Sequence, residues 1–207
     1  MYKRFIKPAL DFIIAMIALI LLLLPMGIIA LIIRIADPGP AIFTQKRVGI
    51  HKKYFKLYKF RTMKLSTPHD VPTHLLKDPD QYMLPIGRTL RRFSIDELPQ
   101  LFNILKGEMS FIGPRPALWN QDDLIAERDK FGANDVKPGL SGWAQINGRD
   151  ELEIPEKAKF DGEYVRRQSF GFDCRCFFGT IRSALRHEGV VEGGTGTLSE
   201  HNEPREQ

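Results

Sequence analysis

Two adjacent carboxylates, Asp96 and Glu97, lie in the run Arg91-Arg92-Phe93-Ser94-Ile95-Asp96-Glu97-Leu98-Pro99. Carboxylates at a helix start, with arginines just upstream, suit a magnesium-assisted phosphoryl reaction. One carboxylate binds the metal or attacks phosphorus, while guanidinium groups neutralise phosphate oxygens. Asp96 and Glu97 are thus candidate catalytic groups and candidate Mg2+ ligands. The same spacing has a structural reading. Ser94 and Glu97 match a capping box, and Asp96 favours the positive end of a helix. A helix capped at Ser94 would lose a backbone bond at Pro99, whereas capping at Asp96 places Pro99 among amides that are free anyway. Taken alone, this stretch reads as a cap before it reads as a catalyst.

Ile112-Gly113-Pro114-Arg115-Pro116 holds one arginine between two prolines, so its guanidinium can be aimed at an oxyanion with little loss of entropy. Its structural alternative is a rigid surface turn. Tyr58-Lys59-Phe60-Arg61-Thr62-Met63 interleaves cations with aromatic rings. It reads either as a strand presenting Lys59 and Arg61 to a phosphate or nucleotide, or as a strand with one wet face. Gln145, Asn147 and Arg149 form a further polar cluster around Gly148. The histidines His51, His69, His74, His187 and His201 show no metal-ligand spacing. Cys174 and Cys176 are too close for an easy disulfide and too few for a zinc site. A reduced, cytoplasmic environment fits this usage.

The elements that must position these groups follow from turn signals and periodicity. Asp37-Pro38-Gly39-Pro40 stops any helix. Ala41–Met63 alternates short apolar and polar runs around Val48-Gly49-Ile50, the pattern of a small β-hairpin. Residues 64–85 hold four prolines and read as a loop over a site. Leu98, Leu101, Phe102 and Leu105 share one helical face that ends at Lys106-Gly107. Leu118–Phe131 suits another helix, closed by Gly132, and Lys137–Arg149 is glycine-rich and loop-like. Phe170, Cys174, Phe177, Phe178, Ile181 and Leu185 fall on one face of a last helix. That helix either lies in a membrane interface or packs in a core, and periodicity leaves both open. The expected class is α+β, predominantly helical, with a short β-hairpin.

Phe12–Ile33 contains no charge, and its 22 residues span about 33 Å as a helix, enough for a hydrocarbon core. It is longer than a usual signal-peptide core, and no small-x-small cleavage site follows. Lys3, Arg4 and Lys7 precede it, while Arg34, Lys46, Arg47, Lys52 and Lys53 follow. With both flanks positive, neither suits the outer side of a membrane. Pro25 removes a backbone bond inside the segment. Together these favour a re-entrant helix, kinked at Pro25, over a simple spanning one. The expected organisation is a membrane helix over 1–36, a cytoplasmic catalytic domain over 37–188, and an acidic, flexible tail over 189–207.

Net charge is +5, and the tail, with four glutamates against Arg205, leaves about +8 on the remainder. A basic body beside an apolar anchor suits anionic headgroups and phosphorylated substrates. Basic residues alternate with apolar ones instead of forming a long run, which disfavours nucleic acid as a partner.

Taken together, several stretches resemble one family, the bacterial monotopic phosphoglycosyl transferases, or bacterial sugar transferases, in their small single-domain form. They are Ile42-Phe43-Thr44-Gln45 with Arg47 and Gly49; Tyr58–Met63; Ser94–Asn103; Leu105–Pro116; Lys137–Gly142; and Gln145–Arg149. The resemblance implies transfer of a sugar 1-phosphate from a UDP-sugar to undecaprenyl phosphate, with release of UMP, at the cytoplasmic face of the bacterial inner membrane. It implies Asp96 as nucleophile in a two-step ping-pong scheme, with Glu97 positioning magnesium or handling protons. It further implies that Lys59, Arg91 and Arg115 bind nucleotide and phosphates, and it leaves room for a homodimer. One departure is the Leu24-Pro25 pair, where the family commonly has serine-proline; leucine cannot satisfy a backbone group freed by the kink. The rival reading is a non-catalytic membrane scaffold, in which the basic surface binds anionic lipids and Asp96–Glu97 is only a cap.

Overall fold

The structure is a computed structural model that describes residues 1–67, 79–148 and 152–186. Arg149, the central part of the proline-rich loop and the acidic tail therefore lie outside the described residues. The chain opens with a short π-turn, Tyr2–Ile6, that runs directly into helix α1, Lys7–Ala36. Helical structure continues through Pro25 without interruption. The helix stops at Asp37, which is extended, and Pro38 and Pro40 follow at once.

Strands β1 (Ile42–Val48) and β2 (Tyr54–Phe60) form the expected antiparallel hairpin, with Phe43 opposite Lys59 and Gln45 opposite Leu57. Helix α2 (Gly87–Arg92) leads to a 3₁₀ turn at Ile95–Glu97 and then α3 (Gln100–Leu105). Strand β3 (Ser110–Ile112) precedes α4 (Asp122–Asp129), and β4 (Gly139–Ser141) pairs parallel to β3. The chain then forms α5 (Trp143–Ile146), α6 (Ile154–Arg167) and α7 (Phe170–Arg186). The class is mostly helical α+β, as the sequence predicts. The stretch from Lys137, expected to be a loop, instead contains β4 and α5. Its glycines serve close backbone contact: a Cβ on Gly139 would come within 2.1 Å of the Gly113 nitrogen, and one on Gly142 within 2.1 Å of the Gly113 oxygen. Helix α6, with Pro155 in its first turn and Arg166 and Arg167 in its last, obeys the usual polarity of helix ends.

One stripe of α1 faces protein. Lys7, Asp11, Ala15, Met26 and Ile33 are buried, while Leu21, Leu24 and Ile35 stand more than 70% exposed. Ala15 joins Phe55, Leu57, Leu101, Ile104 and Met109 in one core cluster, and Met26 and Ile33 join Ala41, Phe60, Leu84 and Leu90 in another. A third cluster, Ile112, Trp143, Tyr164, Phe172 and Cys176, unites β3 with α5, α6 and α7. Only 11% of the most apolar window of this helix is buried inside the protein. A core helix of a water-soluble protein would hide most of that surface, so the exposure marks a membrane-associated helix.

On α7 the predicted apolar face turns outward, and the core side is made by residues outside it. Phe172 and Cys176 go inward, whereas Phe170, Phe177, Phe178 and Ile181 are exposed. The residues expected to form one face therefore include the outward ring of aromatics, and the core side is built from their neighbours.

Candidate active site

The site forms where α2, the Ile95–Glu97 turn, the β1–β2 hairpin and the loop after β3 converge. Ser94 adopts a left-handed conformation, φ 55°, and reverses the chain between α2 and that turn. It makes no side-chain cap bond; only its carbonyl accepts, from the Glu97 amide at 3.2 Å. The Glu97 carboxylate does not reach back to complete a capping box. Its Oε1 accepts instead from Lys59 Nζ at 2.9 Å and Arg115 Nη2 at 3.1 Å. The capping interpretation thus fails because distant cations reach Glu97 before its own helix start does.

Each cation is delivered by a different element. Lys59 lies on the face of β2 that also carries the buried Phe55 and Leu57, so strand alternation carries it toward α3 and the turn. Arg115 follows β3, and its loop is stitched to the hairpin. Val48 donates its amide to the Ala117 carbonyl at 3.0 Å, and Arg47 Nη1 donates to the Pro116 carbonyl at 2.9 Å. Arg47 is itself steadied by Gln45 Oε1, at 3.1 and 2.6 Å. Arg91, on α2, donates from Nε to Thr62 Oγ1 at 3.0 Å.

Asp96 and Glu97 are equally hidden, 7% and 8% exposed, yet their surroundings differ. Burial pushes the Glu97 carboxyl up, but Lys59 and Arg115 outweigh it and hold the group well below the usual carboxylate range. Burial pushes Asp96 up as well, and the adjacent Glu97 charge adds to it; Lys59, Arg91 and Arg115 only partly oppose the rise. Asp96 accepts no hydrogen bond among the described residues, and Lys59 Nζ is 3.9 Å from its Oδ2. The result is a fixed anion beside an uncommitted carboxylate with cations around it.

Of the residues singled out from sequence, the structure brings together Asp96, Glu97, Lys59, Arg91 and Arg115. Arg61 goes elsewhere: it donates to the Asp37 side chain and carbonyl and to the Pro40 carbonyl, clasping the end of α1. Gln145 has both amide atoms buried without a partner among the described residues, and Asn147 is exposed, donating to the Trp143 carbonyl at 2.7 Å. Thr62, Gln45 and Arg47 emerge as supporting groups. All three lie in motifs that carry a sequence signal, Gln45 and Arg47 in the one that begins at Ile42 and Thr62 in Tyr58–Met63, but none was singled out there as a site residue.

Among the described residues, no group of three or more His, Cys, Asp or Glu side chains could hold a metal ion. The available donors still fit magnesium, which binds through one or two carboxylates, water and substrate phosphate oxygens. Asp96 supplies free carboxylate oxygens, and Glu97 retains Oε2.

The profile of the bacterial sugar transferase family matches residues 2–187. The uncharacterized sugar transferase EpsL of Bacillus subtilis is 42% identical over 161 residues, or 78% of either chain. The UDP-glucose:undecaprenyl-phosphate glucose-1-phosphate transferase of Escherichia coli is 39% identical over 192 residues, 86% of this chain and 40% of that protein. The undecaprenyl-phosphate galactose phosphotransferase of Salmonella typhimurium is 33% identical over 202 residues, 91% and 42%. The chain thus spans less than half the length of the latter two relatives.

Proposed function

The chain belongs to the bacterial sugar transferase family, and from that footing we propose that it transfers a sugar 1-phosphate from a UDP-sugar to undecaprenyl phosphate, releasing UMP. The observation that carries the reading is the contrast within one carboxylate pair. Glu97 is engaged by two cations, and Asp96 is buried, unbonded and open to a phosphorus atom. An Asp96 oxygen attacks the sugar-bearing phosphorus, the bond to the bridging oxygen breaks, and UMP leaves with that oxygen. An acyl phosphate then joins Asp96 to the sugar phosphate. An oxygen of the lipid phosphate attacks the same phosphorus and expels the Asp96 carboxylate, leaving the sugar on a lipid diphosphate. Both attacks bring anions together, so Lys59, Arg91 and Arg115 lower the barrier by matching charge on the phosphates. Asp96, with Glu97 beside it, would hold Mg2+ against the diphosphate, where the ion supplies further charge neutralisation. Glu97 acts mainly by keeping Lys59 and Arg115 in place.

The anchor fits a monotopic arrangement. Lys7 is bonded to α7 at one end of α1, and Ile33 packs in a cluster with Phe60 and Leu90 at the other. The same domain thus grips both halves of the helix. A perpendicular crossing would drag charged domain surface into hydrocarbon, whereas a re-entrant helix keeps both positive flanks on the cytoplasmic face of the inner membrane. The exposed aromatics of α7 then rest in the lipid interface.

The test is magnesium-dependent UMP release by detergent-purified protein from a panel of UDP-sugars. Omitting acceptor should trap a sugar-phosphate adduct on the peptide containing Asp96, detected by mass spectrometry. Continued turnover with Asp96→Asn would remove Asp96 from the nucleophile role. The scaffold alternative is weakened because its premise, a capping pair, is absent from the fold.

A further inference from the structure

Asn103, in the middle of α3, is a polar side chain with 0% exposure, and both ends of its carboxamide are engaged. Its Oδ1 accepts from the Tyr58 amide at 3.1 Å, and its Nδ2 donates to the Lys56 carbonyl and to Glu108 Oε2, both at 2.7 Å. Successive residues of an antiparallel strand turn their amides and carbonyls toward the partner strand and away from it by turns. Lys56 and Tyr58 are alternate residues of β2, and their main-chain groups meet Asn103 on the edge that β1 does not use. The carboxamide therefore takes the place of one residue of a further strand, bonding the carbonyl of one residue and the amide two further on. Glu108 fixes its sense, because a carboxylate accepts and so draws the nitrogen end to itself.

This clamp joins the two halves of the site. Lys59 follows Tyr58 directly on β2, and α3 follows the Ile95–Glu97 turn after Leu98 and Pro99. Across that junction Lys59 Nζ stands 2.9 Å from Glu97 Oε1 and 3.9 Å from Asp96 Oδ2. The apolar contacts of β2 with α3, Phe55 and Leu57 with Leu101 and Ile104, bury surface but are non-directional and set no register along the strand. The hydrogen bonds of Asn103 do set one, through their lengths and angles. Ending the helix does not require this side chain: the Asn103 carbonyl does that, accepting from the Glu108 and Met109 amides at 3.0 and 3.3 Å.

We propose that Asn103 is a positioning residue for the transfer reaction: its carboxamide sets the register of β2 against α3 and so holds the Lys59 ammonium at the carboxylate pair. The inference rests on the transferase reading above and deepens it by naming what, besides Glu97, keeps that cation in place.

Two measurements test the proposal. In the first, Asn103→Ala is compared with the unmodified chain in detergent. Its kcat per folded molecule should fall about tenfold, while KM for the UDP-sugar changes less than about twofold. In a Lys59→Met background the same substitution should cost less than about twofold, because the cation it positions is already gone. Equal losses in the two backgrounds would overturn the proposal, since a merely destabilising change acts whether or not Lys59 is present. The second measurement needs no turnover: brief acetylation with acetic anhydride, read lysine by lysine by mass spectrometry. Lys59 should react at least about fivefold faster in Asn103→Ala, with the exposed Lys52 and Lys130 unchanged. No acceleration at Lys59, or the same acceleration at every lysine, would defeat the clamp. If Asn103→Ala does not fold, Glu108→Ala carries the same test, since it strips the carboxamide of one acceptor at a half-buried position. Lys59 should then react at least about twofold faster, and an unchanged rate would again count against the clamp. Selective acceleration at Lys59 in a chain that releases UMP from no UDP-sugar would uphold the clamp and defeat the transferase reading.

Discussion

Asp173 and Asp96 are both 7% exposed, and each has a lysine nearby, but their oxygens meet different surroundings. Asp173 Oδ2 accepts from Lys7 at 2.7 Å and from the Tyr2 hydroxyl at 2.5 Å, and its Oδ1 accepts from the Tyr164 hydroxyl at 2.8 Å. The Ile112 carbonyl, 2.9 Å from the Tyr164 hydroxyl, shares that group's single proton with Asp173, and Asp11 accepts from the Phe111 amide. That network closes on itself and ties α1 to β3, α6 and α7. Around Asp96, the closed bonds belong to its neighbour Glu97, and Asp96 accepts no hydrogen bond among the described residues, with Lys59 Nζ 3.9 Å from its Oδ2. Equal burial with unequal bonding is the difference on which the proposed role of Asp96 rests: satisfied lone pairs hold elements together, and unengaged ones remain available to a ligand.

The sharpest way to break this contrast is to neutralise each aspartate. Asp96→Asn should lower turnover by about three orders of magnitude or more while leaving the thermal midpoint nearly unchanged, since no bond is lost. Asp173→Ala should do the reverse. It leaves the buried Lys7 with only Asp11, 3.9 Å away, at a cost of about 3 kcal/mol, seen as a lower unfolding midpoint in detergent. Activity per folded molecule should change far less than for Asp96→Asn. If Asp173→Ala is as stable as the parent, the network is not what ties α7 to the anchor.

Glu97→Gln gives an intermediate effect, because it removes the charge that Lys59 and Arg115 share. A drop in kcat of about ten- to a hundredfold is expected, from cations no longer held at the phosphate. Retention of full kcat would reduce Glu97 to a spectator.

Acidification should slow acceptor-free UMP release about tenfold per pH unit once Asp96 takes up its proton, and that limb should begin above the ordinary aspartate value of 3.8. A limb at or below that value would contradict the buried, unbonded environment. Stability responds in the opposite sense at the two carboxylates. The contribution of Glu97 is present above its ordinary value of 4.5 and is lost as pH falls through its depressed folded value. The raised Asp96 makes stability decline as pH climbs from 3.8 through its folded value.

The smallest effect is expected from Thr62→Val, which removes the acceptor for Arg91 Nε but keeps the side-chain volume. About a three- to tenfold rise in KM for the UDP-sugar, with an unchanged unfolding midpoint, would place Thr62 as a positioning residue. A lowered midpoint with unchanged KM would make its role structural.

Patterns that depend on near neighbours were legible without a fold. The uncharged run from Phe12, the alternation around Gly49 and the helical spacing of Leu98 to Leu105 follow from local pattern, whereas the motif around Asp96–Glu97 stood out only through its resemblance to a family. Capping failed as a reading for the same reason that it was attractive, since it consults only residues within one helical turn. Which of the 30 lysines and arginines would meet Glu97 is a long-range matter. Lys59 and Arg61 are two residues apart in near-identical surroundings, yet Lys59 reaches the carboxylates and Arg61 clasps Asp37. β2 ends between them at Phe60, and packing of the anchor against the domain brings the end of α1 to Arg61. The amino-acid order thus determined the anchor, the hairpin and the adjacency of the two carboxylates. Only the tertiary structure decided which carboxylate of the pair was bonded and which accepted no hydrogen bond among the described residues, because the cations that bond Glu97 come from elements 38 and 18 residues away in the chain.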